Sequence, residues 1–546
     1  MTMQIRFVGP LGKVTGSCTW MRDETRGWSF LVDCGMQQGE PTADQWNAGD
    51  EWPFDPKTIR FVILTHAHVD HCGLIPELYK RGFEGTVYCT EETKELAELL
   101  LGDAAKQQDT SFELKDVERI HFHTPGGTTK FGDYHPVADD LFIRFFRSGH
   151  ILGSVSATIL WGDPKSEQTS IVFSGDIGPG REDQEVAPFS RHLMHPAPAD
   201  FAVVESTYGD RARPPEETDP VNRRSRLAEA MDRAMKTGGT LAIPAFSTAR
   251  TQDVLFDIHF VVASNPERYA GMDFILASPL AEKINEITVK ALSKVGPQGN
   301  RGKVRPLWLG KQVFRDLGLD KDDPDHFDHA HNLCKQALCA APATPIPNEP
   351  PGNAISAQWR SLFRVDKKGA NDVELAQAGP RVAVMSSGMC DAGPAIRWLP
   401  DLLKSADNEV ALTGYCAPGS IGNKLQELAP VPNSERRKLR DNLSWKQPGG
   451  PSLPRRDIKA SISTLSGYSA HADQAELVDW VVHEFPQGSG SRQTMASKKV
   501  FIQHGHNRAR KGLSEAIQKK ATAHGLWIET GMPEEPSGWI TLDPAR

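Results

Sequence analysis

Short apolar runs that end in polar, glycine-bearing turns recur along this chain, and the turns hold its most unusual side chains. Ile59 to Leu64 (IRFVIL) has the length and β-branched content of a buried strand, and THAHVDHCG follows it at once. The same strand-then-turn pattern precedes Asp33 (FLVDCG), Asp176 (IVFSGD) and Glu205 (AVVES). Helical spacing appears in Arg223 to Lys236, in Arg250 to Ala263 and in SAHADQAELVDWV, where Leu477, Trp480 and Val481 share one face. The pattern predicts an α/β fold, in which chemistry gathers at the ends of strands.

Composition narrows the class. At 546 residues the chain is too long for one compact core and long enough for two domains. No run approaches the ~20 apolar residues of a membrane helix, and the start, MTMQIRFVGPLG, enters a strand pattern without a basic-then-apolar leader. The eight cysteines lack the dense spacing of a secreted disulfide scaffold and read as reduced thiols, so the expected location is cytoplasmic, with no membrane partner.

His66, His68, Asp70 and His71 place four metal-competent side chains within six residues. Imidazole nitrogen and carboxylate oxygen suit a borderline-soft ion such as zinc, and two histidines one residue apart in extended chain can face one point. Asp70 and His71, past the bend, can reach a second ion. A solvated loop that happens to be rich in histidine is the plainer alternative, but loops seldom crowd four ligands without a metal. Two ions about 3.5–4 Å apart can together acidify a bound water and neutralise charge on both attacking and leaving oxygens.

The HxHxDH spacing resembles the signature of the metallo-β-lactamase superfamily, and further segments resemble that family's other motifs in order. These are Asp33 in FLVDCGMQQG, His150 in RSGHILGS and Asp176 in IVFSGDIG. AVVESTYGDR with Glu205, GGTLAIPAFSTARTQD, MSSGMCDAGP, TGYCAPGSIG, LSGYSAHADQAEL with His471 and FIQHGHNRAR with His504 resemble the β-CASP branch, whose members process nucleic acids. The resemblance implies a metallo-β-lactamase αββα sandwich with an inserted α/β β-CASP domain. The sandwich would comprise residues 1–206 and 458–546, the latter with the last two histidine motifs, and the insertion residues 207–457.

Carried over residue by residue, the resemblance implies two Zn2+ ions, the first on His66, His68, His150 and Asp176 and the second on Asp70, His71, Asp176 and His504. Asp33 would support these loops without binding metal. Glu205 and His471 would handle protons, with Asp176 completing the catalytic set; a histidine near its ordinary pKa of about 6.5 can protonate a leaving 3′ oxygen. Arg211, Arg250 and Ser387 are candidate substrate contacts, and Arg213, Arg508 and Arg510 are further candidate phosphate contacts. The implied activity is hydrolysis of single-stranded RNA by metal-bound hydroxide, endonucleolytic before 5′ exonucleolytic, in RNA processing or decay. Histidine at position 504 favours RNA, with a DNA or dual nuclease as the alternative, a non-catalytic scaffold behind both, and homodimerisation left open. Three departures from the family pattern stand out: His506 where glutamate is usual, Ala277 where aspartate is usual, and Ala249 in place of glycine.

Two further clusters carry alternatives. The stretch 434–459 holds Arg436, Arg437, Lys438, Arg440, Lys446, Arg455, Arg456 and Lys459 around Trp445. It reads as a strand guide, cations for phosphates and an aromatic for stacking, or as a solvated linker. Residues 325–339 hold His326, His329, His331, Cys334 and Cys339, whose spacing matches no established zinc finger, so a polar helix is expected. Segments 294–302 and 340–352 are rich in glycine, proline and alanine and predict loops. A net charge of −8 does not oppose a nucleic-acid substrate, because binding follows local potential and bound metal ions.

Overall fold

A computed structural model of the chain describes residues 2–9, 11–38, 43–106, 110–126, 131–162, 168–180, 185–189, 193–296, 303–339, 352–366, 379–414, 416–445, 450–486, 492–534 and 537–544. The loops expected at 294–302 and 340–352 fall outside these residues over 297–302 and 340–351, as do Tyr415 and Lys446 of the segments quoted above. The chain divides into two compact units, the first formed by residues 1–184, 192–213 and 471–546 and the second by 185–191 and 214–470.

The first unit contains two seven-stranded sheets. One runs in the order Ile540–Thr541, Met3–Phe7, Thr19–Asp23, Trp28–Val32, Ile59–Ile63, Thr86–Tyr88 and Phe122–His123. The other runs Glu529–Gly531, Lys499–Ile502, Phe201–Val204, Thr169–Phe173, Val155–Trp161, Leu141–Arg147 and His135–Ala138. Period-two alternation sends Met3, Ile5, Phe30 and Phe61 of one sheet and Ile143, Ile159, Phe173, Val203 and Phe501 of the other into a single core. The second sheet's opposite face, with Val172, Ala202, Val204, Val500 and Ile502, is covered by Leu477, Trp480, Leu513 and Ile517 from the helices Gln474–Val481 and Asn507–Ala523. The two sheets packed on one core, with helices on the outer face of the second, fit the αββα arrangement.

The second unit is built on a six-stranded, wholly parallel sheet in the order Arg364–Val365, Asp273–Ala277, Arg381–Met385, Thr240–Pro244, Glu409–Leu412 and Ser461–Thr464. Its central strands TLAIP, RVAVM and EVAL are buried at every position, as a sheet covered on both faces requires. The helices expected over 223–236 and 250–263 are present as Pro220–Thr237 and Arg250–Ser264. Residues 458–470, expected with the sandwich, fall in this second unit: Ser461–Thr464 pairs in parallel with Glu409–Leu412 and closes the sheet's edge.

Trp445 corrects another expectation. It is buried in the second unit's core with Trp398, Leu443 and Leu453, and its indole nitrogen donates to the carbonyl of Cys390 at 2.8 Å, so it offers no face for stacking a base. Arg436 is spent likewise, donating to the carbonyls of Val431, Ala460 and Leu428. Among the described residues no helix is long and apolar enough to cross a membrane, and all eight cysteines are free thiols.

Candidate metal centre

Most of the cluster residues of the first unit stand in turns that follow the ends of strands. Ile59–Ile63 leads through Thr65 to His66, and His68 then caps the short helix Val69–Cys72, which carries Asp70 and His71 back toward the strand end. His150 follows Leu141–Arg147, Asp176 follows Thr169–Phe173, Glu205 follows Phe201–Val204 and His504 follows Lys499–Ile502. The turns are tight enough to need glycine. A Cβ on Gly178 would overlap the carbonyl of Gly149, and one on Gly35 would overlap that of Asp70.

Three imidazoles and one carboxylate oxygen converge first. His68 Nδ1 lies 3.2 Å from His66 Nε2 and 3.0 Å from His150 Nε2, while Asp176 Oδ2 lies 3.6 Å from His66 Nε2 and 3.5 Å from His150 Nε2. The other oxygen of Asp176 faces a second group, 3.3 Å from His71 Nε2 and 3.5 Å from His504 Nε2, with Asp70 Oδ2 3.9 Å from the latter nitrogen. Ligands bonded tetrahedrally at about 2.0–2.1 Å stand about 3.3 Å apart, so these separations suit two ions sharing one carboxylate. Independent support comes from His71 Nε2 and Asp176 Oδ1, both buried and neither hydrogen-bonded. Such orphaned groups are costly unless a ligand satisfies them. The residues fit the metal that the donor set suggests.

The electrostatics agree with ligation. Burial, reinforced by His71, holds His66 well below the usual histidine pKa, and burial lowers His68 to about 4 despite Asp70 and Asp176. Both rings are therefore neutral and able to donate lone pairs. Burial would lower His71 too, but Asp176 and Asp33 on either side outweigh it and raise the imidazole well above the ordinary value. Burial would raise Asp176, yet His504, His71 and His66 hold it well below the carboxylate range. A cation beside His71 and Asp176 would take the place of the proton that the two carboxylates hold on the His71 ring.

Supporting contacts come from residues outside the clusters. Asp33, with φ 58°, accepts hydrogen bonds from Thr65 N (2.8 Å), Thr65 Oγ1 (2.9 Å) and His71 Nδ1 (2.7 Å). Thr65 and Ser154 escaped the sequence reading. Ser154 Oγ accepts from the backbone N–H of His150 and Ile151 and so shapes that histidine's turn; a threonine or serine beside a strand end is too common to signal this. Glu205 is buried, accepts from Ile177 N at 2.6 Å and Thr207 N at 3.2 Å, and receives His471 Nδ1 at 3.3 Å. That same nitrogen is 3.9 Å from Asp176 Oδ2, which puts the Glu205–His471 pair beside the clusters.

The departures from the family pattern can now be placed. His506 is exposed and stands at the N-cap of Asn507–Ala523. The direction of His504 comes from its own φ of 49°, from Ser206 N donating to its carbonyl at 3.0 Å, and from Gly505, whose Cβ would overlap Ser206. Ala249 keeps the positive φ, 64°, for which glycine is the ordinary choice. Ala277 is buried at the end of its strand.

The substrate candidates differ in availability. Arg211 is exposed, its guanidinium 5.4 Å from the centre of the Tyr208 ring. Arg250 is buried, and its Nη1 donates to the carbonyls of Thr413 and Tyr468 within the second unit. Ser387 Oγ accepts from Ala392 N at 3.3 Å. Arg510 donates to the carbonyls of Ile502 and Pro533, and Arg508 pairs with Asp210. Residues 325–339 lie within the helix Pro324–Cys339, where His326 Nδ1 accepts from Asp320 N and His329 and Cys334 are buried; the potential metal groups among the described residues include none of them.

Comparison with known proteins covers most of the chain. Residues 11–225 match the metallo-β-lactamase superfamily, 251–425 the Beta-Casp domain, and 455–527 the Zn-dependent metallo-hydrolase RNA specificity domain. A ribonuclease of Thermus thermophilus is 28% identical over 485 residues, covering 88% of this chain and 91% of the relative. An RNase J-like protein of Methanocaldococcus jannaschii is 25% identical over 547 residues, covering 97% and 96%. The transcription termination factor FttA of Methanothermobacter thermautotrophicus is 24% identical over 533 residues, covering 94% and 69%.

Proposed function

This chain belongs to the β-CASP branch of the metallo-β-lactamase superfamily, and from that premise we propose that it is a zinc-dependent ribonuclease that hydrolyses phosphodiester bonds in single-stranded RNA. The observation that carries the reading is Asp176, whose two oxygens face separate ligand groups while the Glu205–His471 pair stands alongside. Two zinc ions, one on His66, His68, His150 and Asp176 and one on Asp70, His71, His504 and Asp176, would supply Lewis-acid polarisation and acidify water at neutral pH.

The chain's own residues supply orientation and the proton. Asp33 fixes Thr65 and His71, so the strand-end loop keeps its ligands aimed inward. Glu205 is held from behind by two backbone N–H groups and accepts from His471 Nδ1, which sets the tautomer and stabilises the charged imidazole. His471 then gives a proton from Nε2 to the departing 3′ oxygen, leaving a 3′ hydroxyl and a 5′ phosphate. Positioned acids of this kind contribute about 10²–10⁴-fold. RNA is preferred to DNA on the strength of His504, the match to an RNA specificity domain and the ribonuclease relative. Free, mostly buried thiols suit a reducing compartment such as the cytoplasm.

Single-stranded RNA and DNA of one sequence, labelled at an end or internally, test this directly. Internal cuts in RNA bearing 5′ phosphates are expected. Faster cleavage of DNA would replace RNA with DNA as the substrate, and release of mononucleotides alone would replace endonuclease with exonuclease.

A further inference from the structure

The loop after Glu205 contains a buried cation that the proposed proton transfer does not use. Arg213 is 8% exposed, and only Nη2 among its side-chain nitrogens meets an acceptor, Glu476 Oε2 at 2.9 Å; Nε and Nη1 are buried without a hydrogen-bond partner. Leaving guanidinium donors unmatched inside a protein is costly unless the group gains elsewhere. Its neighbour is aromatic: the guanidinium carbon lies 5.8 Å from the centre of the Tyr208 ring, within cation–π range. Tyr208 in turn meets His471 edge to face, with ring centres 6.1 Å apart and planes at 88°.

The far end of this stack is firmly anchored. Glu476 forms a reciprocal capping box with Asp473 at the start of Gln474–Val481, and its other oxygen accepts from Gly180 N at 2.8 Å on the loop that carries Asp176. Asp473 Oδ2 also accepts from Arg213 N at 2.9 Å, and Ala472 N donates to Ile177 O at 2.7 Å. One carboxylate thus ties together the helix that follows His471, the Asp176 loop and the arginine behind Tyr208.

We propose that Tyr208 is a positioning residue for the proton donor: clamped from behind by Arg213 and Glu476, its ring holds the His471 imidazole in line with Glu205. The proposal rests on the reading of His471 as the acid of RNA cleavage. Glu205 holds Nδ1 and the His150 ring stands with its centre 4.5 Å from that of the imidazole; the tyrosine ring packs edge to face against it as a further support. A phenyl ring serves equally, because the contact uses the ring and not the hydroxyl.

The test compares the zinc-loaded protein with its Tyr208→Phe, Tyr208→Leu, His471→Ala and Tyr208→Leu/His471→Ala variants on single-stranded RNA, with zinc measured in each. Tyr208→Leu should lower kcat on the order of tenfold, at unchanged KM and zinc content, Tyr208→Phe should stay within about twofold, and Tyr208→Leu should add nothing once His471 is gone. A rise in KM at constant kcat would make Tyr208 a substrate contact, and an equal loss in the His471→Ala background would remove the coupling; either overturns the proposal. A second measurement needs no turnover. In protein carrying isotope-labelled histidine, the ring current of Tyr208 displaces the His471 imidazole resonances, which should shift in Tyr208→Leu and hold in Tyr208→Phe. Unmoved resonances in Tyr208→Leu would overturn the stack, whereas moved resonances in a protein that cleaves no RNA would retain the stack and discard the ribonuclease reading.

Discussion

Asp33 Oδ2 lies 2.7 Å from His71 Nδ1, while the opposite nitrogen of that ring points at Asp176. The imidazole is therefore held between a carboxylate that orients it and a carboxylate with which it would share an ion. Removing the first leaves the ligand present but unaimed. Asp33→Ala should weaken zinc binding about 10–100-fold, as measured by competition with a chromophoric chelator, while leaving most of the fold intact. Unchanged affinity would mean that the strand ends alone orient His71.

His506 invites the opposite expectation. The turn at His504 is shaped by Ser206 and Gly505, and residue 506 is exposed. His506→Glu, which restores the family's usual residue, should change RNA cleavage and zinc content by less than about threefold, since exposed substitutions seldom cost much. A tenfold gain in either would assign this position to the metal site.

The second unit should carry a pH signature of its own. Burial, with Asp257 adding to it and Arg223 opposing it, raises the Asp253 carboxyl to about 7, and its Oδ1 has no hydrogen-bond partner. A carboxyl raised on folding holds its proton in the native state and loses it in the unfolded chain. It costs nothing below the unfolded value of about 3.9, and the cost grows with rising pH until it is complete above about 7. The gap of about 3 units corresponds to about 4 kcal/mol at most. Asp253→Asn should therefore raise Tm at pH 8 and leave it unchanged near pH 4, in parallel thermal melts. A gain of equal size at both pH values would point to packing and not ionisation.

Much of the candidate metal centre is legible because the residues that could hold a metal are local or follow recognisable strands: His66, His68, Asp70 and His71 sit in one turn, and His150, Asp176 and His504 each follow an apolar run. What escaped depends on partners distant in sequence. Nothing near Trp445 signals that its indole will seek the carbonyl of Cys390, so among cations it resembled a stacking residue. Residues 458–470 fall in the second unit through the parallel pairing of Ser461–Thr464 with Glu409–Leu412, which leaves no local mark in the sequence. Arg250 resembled a phosphate contact until its carbonyl partners, Thr413 and Tyr468, were in place. The Tyr208–His471 contact is likewise invisible until distant strand ends meet.

The central claim is that two zinc ions sharing Asp176 drive the cleavage of RNA. It is tested most directly by stripping the protein of metal and measuring the rate of single-stranded RNA cleavage as zinc is returned in known equivalents. The account predicts no cleavage in the stripped protein, a rate that reaches its plateau at two equivalents per chain, and no recovery at any zinc level in His68→Ala. Cleavage that persists without metal, or full recovery in His68→Ala, would contradict it.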